Sequence, residues 1–481
     1  MIQLDAMIVV PAAFALACLA AGRIRGDLPR WIALLGVVVQ ALLVAQLVPD
    51  GLLAGARITG AALPKVGAIW FTATDGLSTP FVLLTIFIGA AAVLASWRIA
   101  ERPGSYFALI MALQAAVTAV FLAENLVLFY VAWESVLVPM YFLIGGWGSS
   151  NRRHAATKYL IYTFAAGGVM LFGVILALQS QSPSANISEI ALVAGSIPAA
   201  PLVFWLFMVA FLVKLPVVPL HTWLPDAHTE APTAGSIILA GVMLKMGGYG
   251  ILRIGLPFAP QAFESARPLL AVLGLIGIVY GAAMALVQTD LKRLVAYSSV
   301  SHMGFVLLAI AAATADSLGA SVFAMVSHGF VAGLLFLLVG SLYERTHTRE
   351  LDRFGGLGSV MPVWAVAFTF GALASLGLPG LSGFPGEFAT VLESFRVFGW
   401  WIVVGTLGLV LAAAYNLRAV RNSVTGPTRE FAKLPDLGAR EIGLSGAFAF
   451  VIVVLGLQPM LVLSISQHVL RSLARLVGGD A

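Results

Sequence analysis

The stretch FYVAWESVLVPMYFLIGGWG, residues 129–148, is long enough to cross a bilayer core of about 30 Å as a helix, yet it places a carboxylate, Glu134, among apolar and aromatic neighbours. Of the 481 residues 60% are apolar and only 10% are charged, and the mean hydropathy is +0.98. A soluble domain carries about a quarter charged residues, so the composition specifies an integral membrane protein and excludes a soluble enzyme. The net charge of +5 comes from basic residues in short connections between apolar runs, and no nucleic-acid patch is present in the sequence. The acidic start MIQLDAMIVVPAAFALACLAAG argues against a cleaved signal peptide and reads as the first span. Cys18 lies inside that span as a small core residue, so neither a disulfide framework nor a Cys-ligated metal or iron–sulfur site can be built.

About fourteen apolar segments reach membrane-spanning length. They cover approximately residues 6–22, 31–48, 80–97, 106–122, 125–145, 156–180, 202–222, 232–255, 267–287, 291–313, 317–343, 361–399 with an interruption, 401–422 and 441–463. The alternation of a barrel strand is absent, so the expected fold is all-α, one polytopic membrane domain over 1–481. Positive residues in short loops stay cytoplasmic. The connections after odd-numbered spans hold 18 of the 27 Lys and Arg, the opposite side 7, including Lys65, and two more lie at membrane depth. Both termini are therefore expected on the non-cytoplasmic side of the cell inner membrane.

The two embedded lysines are Lys214, in FWLFMVAFLVKLPVVPLHTWLPDAH, and Lys245, in GSIILAGVMLKMGGYGILRI. A fourth charge, Glu387, falls in LGLPGLSGFPGEFATVL. One such charge at a helix centre costs roughly 2.5–3.5 kcal/mol on insertion scales, so a set of four points to an ion path rather than to packing. Pro216 and Pro219 follow Lys214, while Pro379 and Pro385 with Gly380, Gly383 and Gly386 precede Glu387. Proline removes a donor and clashes with the preceding turn, so both helices should break there, with the freed carbonyls facing protein or water. Paired broken spans mark the binding region of transporters built from inverted repeats. The expected halves are 106–255 (spans 4–8) and 267–422 (spans 9–13), with the broken helix fourth in each.

His302, in RLVAYSSVSHMGFVLLAI, and His328, in FAMVSHGFVAGLLFLLVG, are buried histidines able to accept and return protons near pH 7. His221 and His228 fall with Asp226 and Glu230 in LHTWLPDAHTEAP, read as a polar cytoplasmic loop and a candidate hydrated entrance. Two prolines and the lack of i, i+4 ligand spacing argue against a metal site there.

The stretches ENLVLFYVAWESVLVPMYFLIGGWG, KLPVVPLHTWLPDAHTEAPTAGSIILAGVMLKMGGYGILR, DLKRLVAYSSVSHMGFVLL and GLPGLSGFPGEF closely resemble the antiporter-like subunits of respiratory complex I, the NADH-quinone oxidoreductase, which are related to Mrp antiporter subunits. Glu at the eleventh position of the last motif, where sister subunits have Lys, resembles the M-type branch. The resemblance implies a proton-translocating subunit in which Glu134 and Lys214 are a coupled ion pair, Lys245 the central relay, His302 and His328 members of a polar axis, and Glu387 the terminal group. It implies other membrane subunits, neighbouring antiporter-like subunits included, and the lipid bilayer as partners. Pro385 departs from the pattern, and the chain stops soon after span 14, without the long lateral helix of the L-type relative. With no Cys ligand set, dinucleotide fingerprint or haem motif, no cofactor is expected in this chain, and redox chemistry is left to other subunits. The alternative assemblies are an Mrp-type cation/proton antiporter and a membrane-bound hydrogenase. On this reading Glu134 and Lys214 stabilise each other's charged forms, and separating them frees the lysine to release its proton.

Overall fold

The computed structural model describes residues 2–60 and 70–478, with the side chains of Ile2 and Gln3 left aside. Lys65 lies outside the described residues. Among those described, eleven helices are long and apolar enough to cross a membrane, and three shorter apolar helices, Thr79–Ala95, Ala200–Lys214 and Pro362–Ser375, take the remaining expected positions. Spans 1 to 6 are Ile2–Ala21, Leu28–Gln46, Thr79–Ala95, Pro103–Leu122, Leu126–Trp147 and Arg152–Ala177. Span 8 is Thr233–Phe258, span 9 Pro260–Val287, span 10 Leu291–Ala312, span 11 Ala315–Thr346, span 13 Trp400–Ser423 and span 14 Ala439–Leu457. Spans 8, 10 and 11 form the centre of the bundle, each with 94% of its most apolar window buried, and spans 1, 2, 13 and 14 are peripheral. Among the described residues the only strands are the antiparallel pair Ile58–Thr59 and Ala73–Thr74.

Spans 7 and 12 are broken where the prolines require. Ala200–Lys214 ends on Lys214, and the chain re-enters a helix at Trp223–Glu230. Pro216 has no N–H, so the Leu212 carbonyl accepts from Val217 instead (3.0 Å), and the indole of Trp223 donates to the Val213 carbonyl (3.0 Å). Span 12 runs Pro362–Ser375, then resumes at Gly383–Phe398. Gly377 and Gly380 turn the chain between the halves with φ of +79° and +92°, which side chains rarely adopt. Pro225 and Pro385 each occupy the third position of a second half-helix, where the missing N–H has no intrahelical partner to lose. Pro385, the departure from the family pattern, therefore removes no helix hydrogen bond.

The segment around His221 and His228 corrects the sequence reading. It is not a polar loop: Trp223–Glu230 is the second half of span 7, and His221 and His228 are 3% and 0% exposed. Low hydropathy concealed the helix because its carboxylates are satisfied by protein. Asp226 binds Lys158 (2.6 Å) and Arg293 (3.4 Å), and Glu230 accepts the Asn151 N–H (2.9 Å). Span 14 also ends earlier than expected, at Leu457, and after Pro459 the chain forms a separate helix, Met460–Leu476.

Two backbone pins recur at the starts of spans 5 and 10. Next to Asn125, Leu126 N–H donates to Ala185 (2.8 Å) and Ile187 N–H to Glu124 (2.6 Å). Next to Asp290, Leu291 N–H donates to Arg349 (2.8 Å) and Leu351 N–H to Thr289 (2.8 Å). Each pinning residue also caps its helix, Asn125 accepting from Val127 and Leu128 and Asp290 from Lys292 and Arg293.

At the other end of span 8, Arg253 grips Asp75 through two hydrogen bonds (2.7 and 2.6 Å) while Asp75 accepts the N–H groups of Leu77 and Ser78. Burial alone would raise the Asp75 carboxyl, but the Arg253 charge and these donors bring it down to about 2. Its stabilisation is full above the ordinary carboxylate value of 3.8 and is lost as pH falls through about 2. Asp75→Asn orphans the arginine and is expected to destabilise the fold by roughly 3–5 kcal/mol at pH 7. The gap from the parent protein in thermal melts should narrow as pH is lowered toward 2; a gap that does not depend on pH removes the ion pair as its cause.

Candidate functional site

Glu134 and Lys214 come from different sides of one helix cluster. Lys214, the last residue of the first half of span 7, is 2% exposed, and its Nζ lies over the rings of Trp133 (5.5 Å) and Tyr159 (5.9 Å). The Glu134 carboxylate rests against Gly167 of span 6, where a methyl group would overlap it. Lys214 is the cation whose field reaches Glu134, but among the described residues no salt bridge joins them. The expected pair is thus near but unclosed, because Glu134 turns into the gap left by the glycine while the ammonium sits over the neighbouring indole.

Lys245 lies in span 8 between two π-helical turns, Leu239–Met243 and Ile251–Gly255. Such turns leave the regular hydrogen-bond ladder and recur at functional positions. The fully buried Lys245 ammonium donates to the Ala240 carbonyl, in the first π turn, and lies 2.7 Å from His328 Nδ1. His328 is in span 11, and its ring centroid is 5.5 Å from that of His302 in span 10. His302 Nδ1 in turn is 2.6 Å from Glu387 Oε1, one turn into the second half of span 12. Ser375 Oγ (3.3 Å) and Tyr415 OH (3.5 Å) flank His302 Nε2.

The structure therefore brings Lys245, His328, His302 and Glu387 into one chain of contacts across four helices. A cavity between spans 10, 11 and 12 is lined by both histidines, Ser327, Ser375 and Glu387. Among the described residues His328 Nε2 and Glu387 Oε2 have no partner although buried, and both side chains line this cavity. Tautomers are not fixed by the heavy atoms, and each histidine can take a proton on one nitrogen while releasing one from the other. Among the described residues no carboxylate bonds to Lys245, and Glu387 bonds to His302.

Ser375, Tyr415 and Asn416 were not singled out from sequence. Asn416 Nδ2 donates to the Ala412 carbonyl (3.0 Å) and reaches Ser375 Oγ (3.5 Å). The adjacent pair Tyr415 and Asn416 inside the apolar run AAAYNL was the available signal. Among the described residues no group of three or more His, Cys, Asp or Glu is placed to hold a metal ion.

Comparisons with known proteins agree with this fold. The family described as NADH:quinone oxidoreductase/Mrp antiporter, transmembrane, matches residues 123–412. NADH-quinone oxidoreductase subunit M of Pseudomonas aeruginosa is 41% identical over 483 residues, covering 96% of this chain and 95% of the relative. A chain of respiratory complex I from Thermus thermophilus with bound NADH superposes with a TM-score of 0.89 at 29% identity, over 99% of this chain and 100% of that one. A chain of the Mrp complex from Dietzia sp. DQ12-45-1b shares the fold, with a TM-score of 0.84 at 21% identity and coverage of 99% and 100%. A family match across well over half of the sequence, with a relative aligned almost end to end, shows that the chain belongs to the NADH:quinone oxidoreductase/Mrp antiporter transmembrane family.

Proposed function

We propose that this chain is the proton-translocating antiporter-like subunit of a respiratory NADH-quinone oxidoreductase, carrying protons along Glu134, Lys214, Lys245, His328, His302 and Glu387. The observation that carries the reading is the contact chain from Lys245 to Glu387, with links of 2.7 and 2.6 Å at its two ends. A proton on Lys245 passes to His328 Nδ1, His328 releases its Nε2 proton across the cavity to His302, and His302 hands on the Nδ1 proton to Glu387. Lys214 loads Lys245 when it is drawn away from the field of Glu134. These steps need no electrons, and redox chemistry belongs to partner subunits; the chain itself works without a cofactor.

Spans 4–8 and 9–13 are read as the inverted repeats. The recurring pins at Asn125 and Asp290 support this, since an odd number of spans separates them and puts them at opposite faces. The matching positions of Pro225 and Pro385 support it too. The side bearing most Lys and Arg is read as cytoplasmic, with both termini on the other side of the cell inner membrane. Neighbouring membrane subunits are the natural partners, as the names of the relatives imply. The antiporter alternative rests on shared fold at 21% identity, whereas the oxidoreductase relative is 41% identical.

Lys214→Arg tests the proposal, because arginine keeps the charge and cannot release its proton. The variant should assemble with its complex and lose most dye quenching in vesicles per substrate oxidised. Pumping at the parent rate would take Lys214 off the path.

A further inference from the structure

At the basic-loop end of the bundle a polar cleft opens between spans 3, 5, 8, 10 and 11, lined among others by Ser149, Glu230, Lys292, Glu344 and Arg349. Two of its charges are matched by opposite ones: Arg349 pairs with Asp290 at 3.1 Å and faces Glu230 at 3.9 Å. Lys292 is different. It is 5% exposed, and the contact recorded for its ammonium is a neutral carbonyl, that of Ala231 (2.5 Å).

Three residues before Ala231, on the same half-helix, stands His228. Its ring is fully buried and stacked on Phe336 of span 11 (centroids 4.5 Å apart, 5° between planes). Neither ring nitrogen has a partner among the described residues. Stacking alone would be served as well by phenylalanine, and leaving a buried polar group unsatisfied costs about 1–3 kcal/mol. Lys292 and Lys245 are the cations whose fields reach this ring.

We infer that the cleft feeds protons to Lys245 through Lys292 and His228, a second intake that bypasses Glu134 and Lys214. Lys292 passes a proton to one His228 nitrogen and is reprotonated from the solvent of the cleft; His228 gives the proton of its other nitrogen to a neutral Lys245. No bond other than N–H is made or broken, and charge moves with each proton. The inference rests on the reading of Lys245 as a proton carrier.

The test uses the assembled complex in vesicles with three variants. His228→Phe keeps the stack on Phe336, and Lys292→Arg keeps the charge and a donor for the Ala231 carbonyl while holding its proton. Each should lower proton translocation by about a third at unchanged assembly, the share left when the Lys214 route carries the larger part. The third, Lys245→Met, checks the underlying reading: if it pumps normally, that reading fails; if it is dead while His228→Phe or Lys292→Arg pumps within about a tenth of the parent rate, the second intake is overturned and the relay stands. Should either variant not assemble, His228→Gly decides with small rings added to the medium. Restoration by imidazole but not by pyrrole, which has no basic nitrogen, supports the intake; equal restoration by both, or by neither, overturns it.

Discussion

Glu387→Gln is expected to reduce proton translocation to below about a tenth, while Glu387→Asp retains about a third or more. The carboxylate touches His302 Nδ1 at 2.6 Å through one oxygen, and its other oxygen, buried beside the cavity, has no partner among the described residues. Gln preserves the volume and a hydrogen bond to the imidazole but takes up no proton. Asp keeps the titrating group and withdraws it by one methylene, which lengthens the His302 contact. If Glu387 only fastens span 12 to span 10, the amide should serve as well as the shortened acid. Dye quenching and substrate oxidation in membranes with confirmed assembly compare the two, and a Gln variant that pumps as well as the Asp variant sinks the assignment.

Lys245→Met is expected to bring translocation down to background with assembly intact. The ammonium is fully buried and has no carboxylate partner among the described residues, so an apolar side chain of similar length removes a desolvated charge rather than orphaning one. Loss of pumping then reports on the proton and not on folding. His328→Leu should produce a comparable loss, and the double variant should be no worse than either single one, because residues serving one transfer step are not additive. Losses that multiply would place the two groups on separate routes.

The membrane class and the two breaks were legible because hydropathy and proline act locally: Pro216 ends a helix whatever packs around it. The buried charges were legible too, since nothing masks a Lys or Glu in an apolar run. Their partners were not. His302 and Glu387 are 85 positions apart, and sequence shows that both are buried without showing that they touch. For Glu134 and Lys214 opposite sign suggested closure, whereas the space beside Gly167 and the ring of Trp133 decide otherwise. The half-helix Trp223–Glu230 read as a loop because hydropathy counts Asp226 and Glu230 as hydrated, while in the fold Lys158, Arg293 and the Asn151 N–H replace that water. Arg253 counted as one more loop cation for orientation, yet its task is to hold Asp75.

Each π turn in span 8 amounts to one residue inserted into an otherwise regular helix. Removing a residue from either turn would restore the ordinary ladder and swing everything beyond it by about 100°. A deletion in the first turn would carry both Lys245 and Arg253 away from His328 and Asp75, and one in the second would carry away Arg253 alone. Leucine for isoleucine is a small change in this segment; one codon more or fewer is not. The reading frame of span 8 is thus held between its relay and its anchor, and single-residue indels between positions 239 and 255 should be purged from any collection of functional variants while apolar exchanges accumulate.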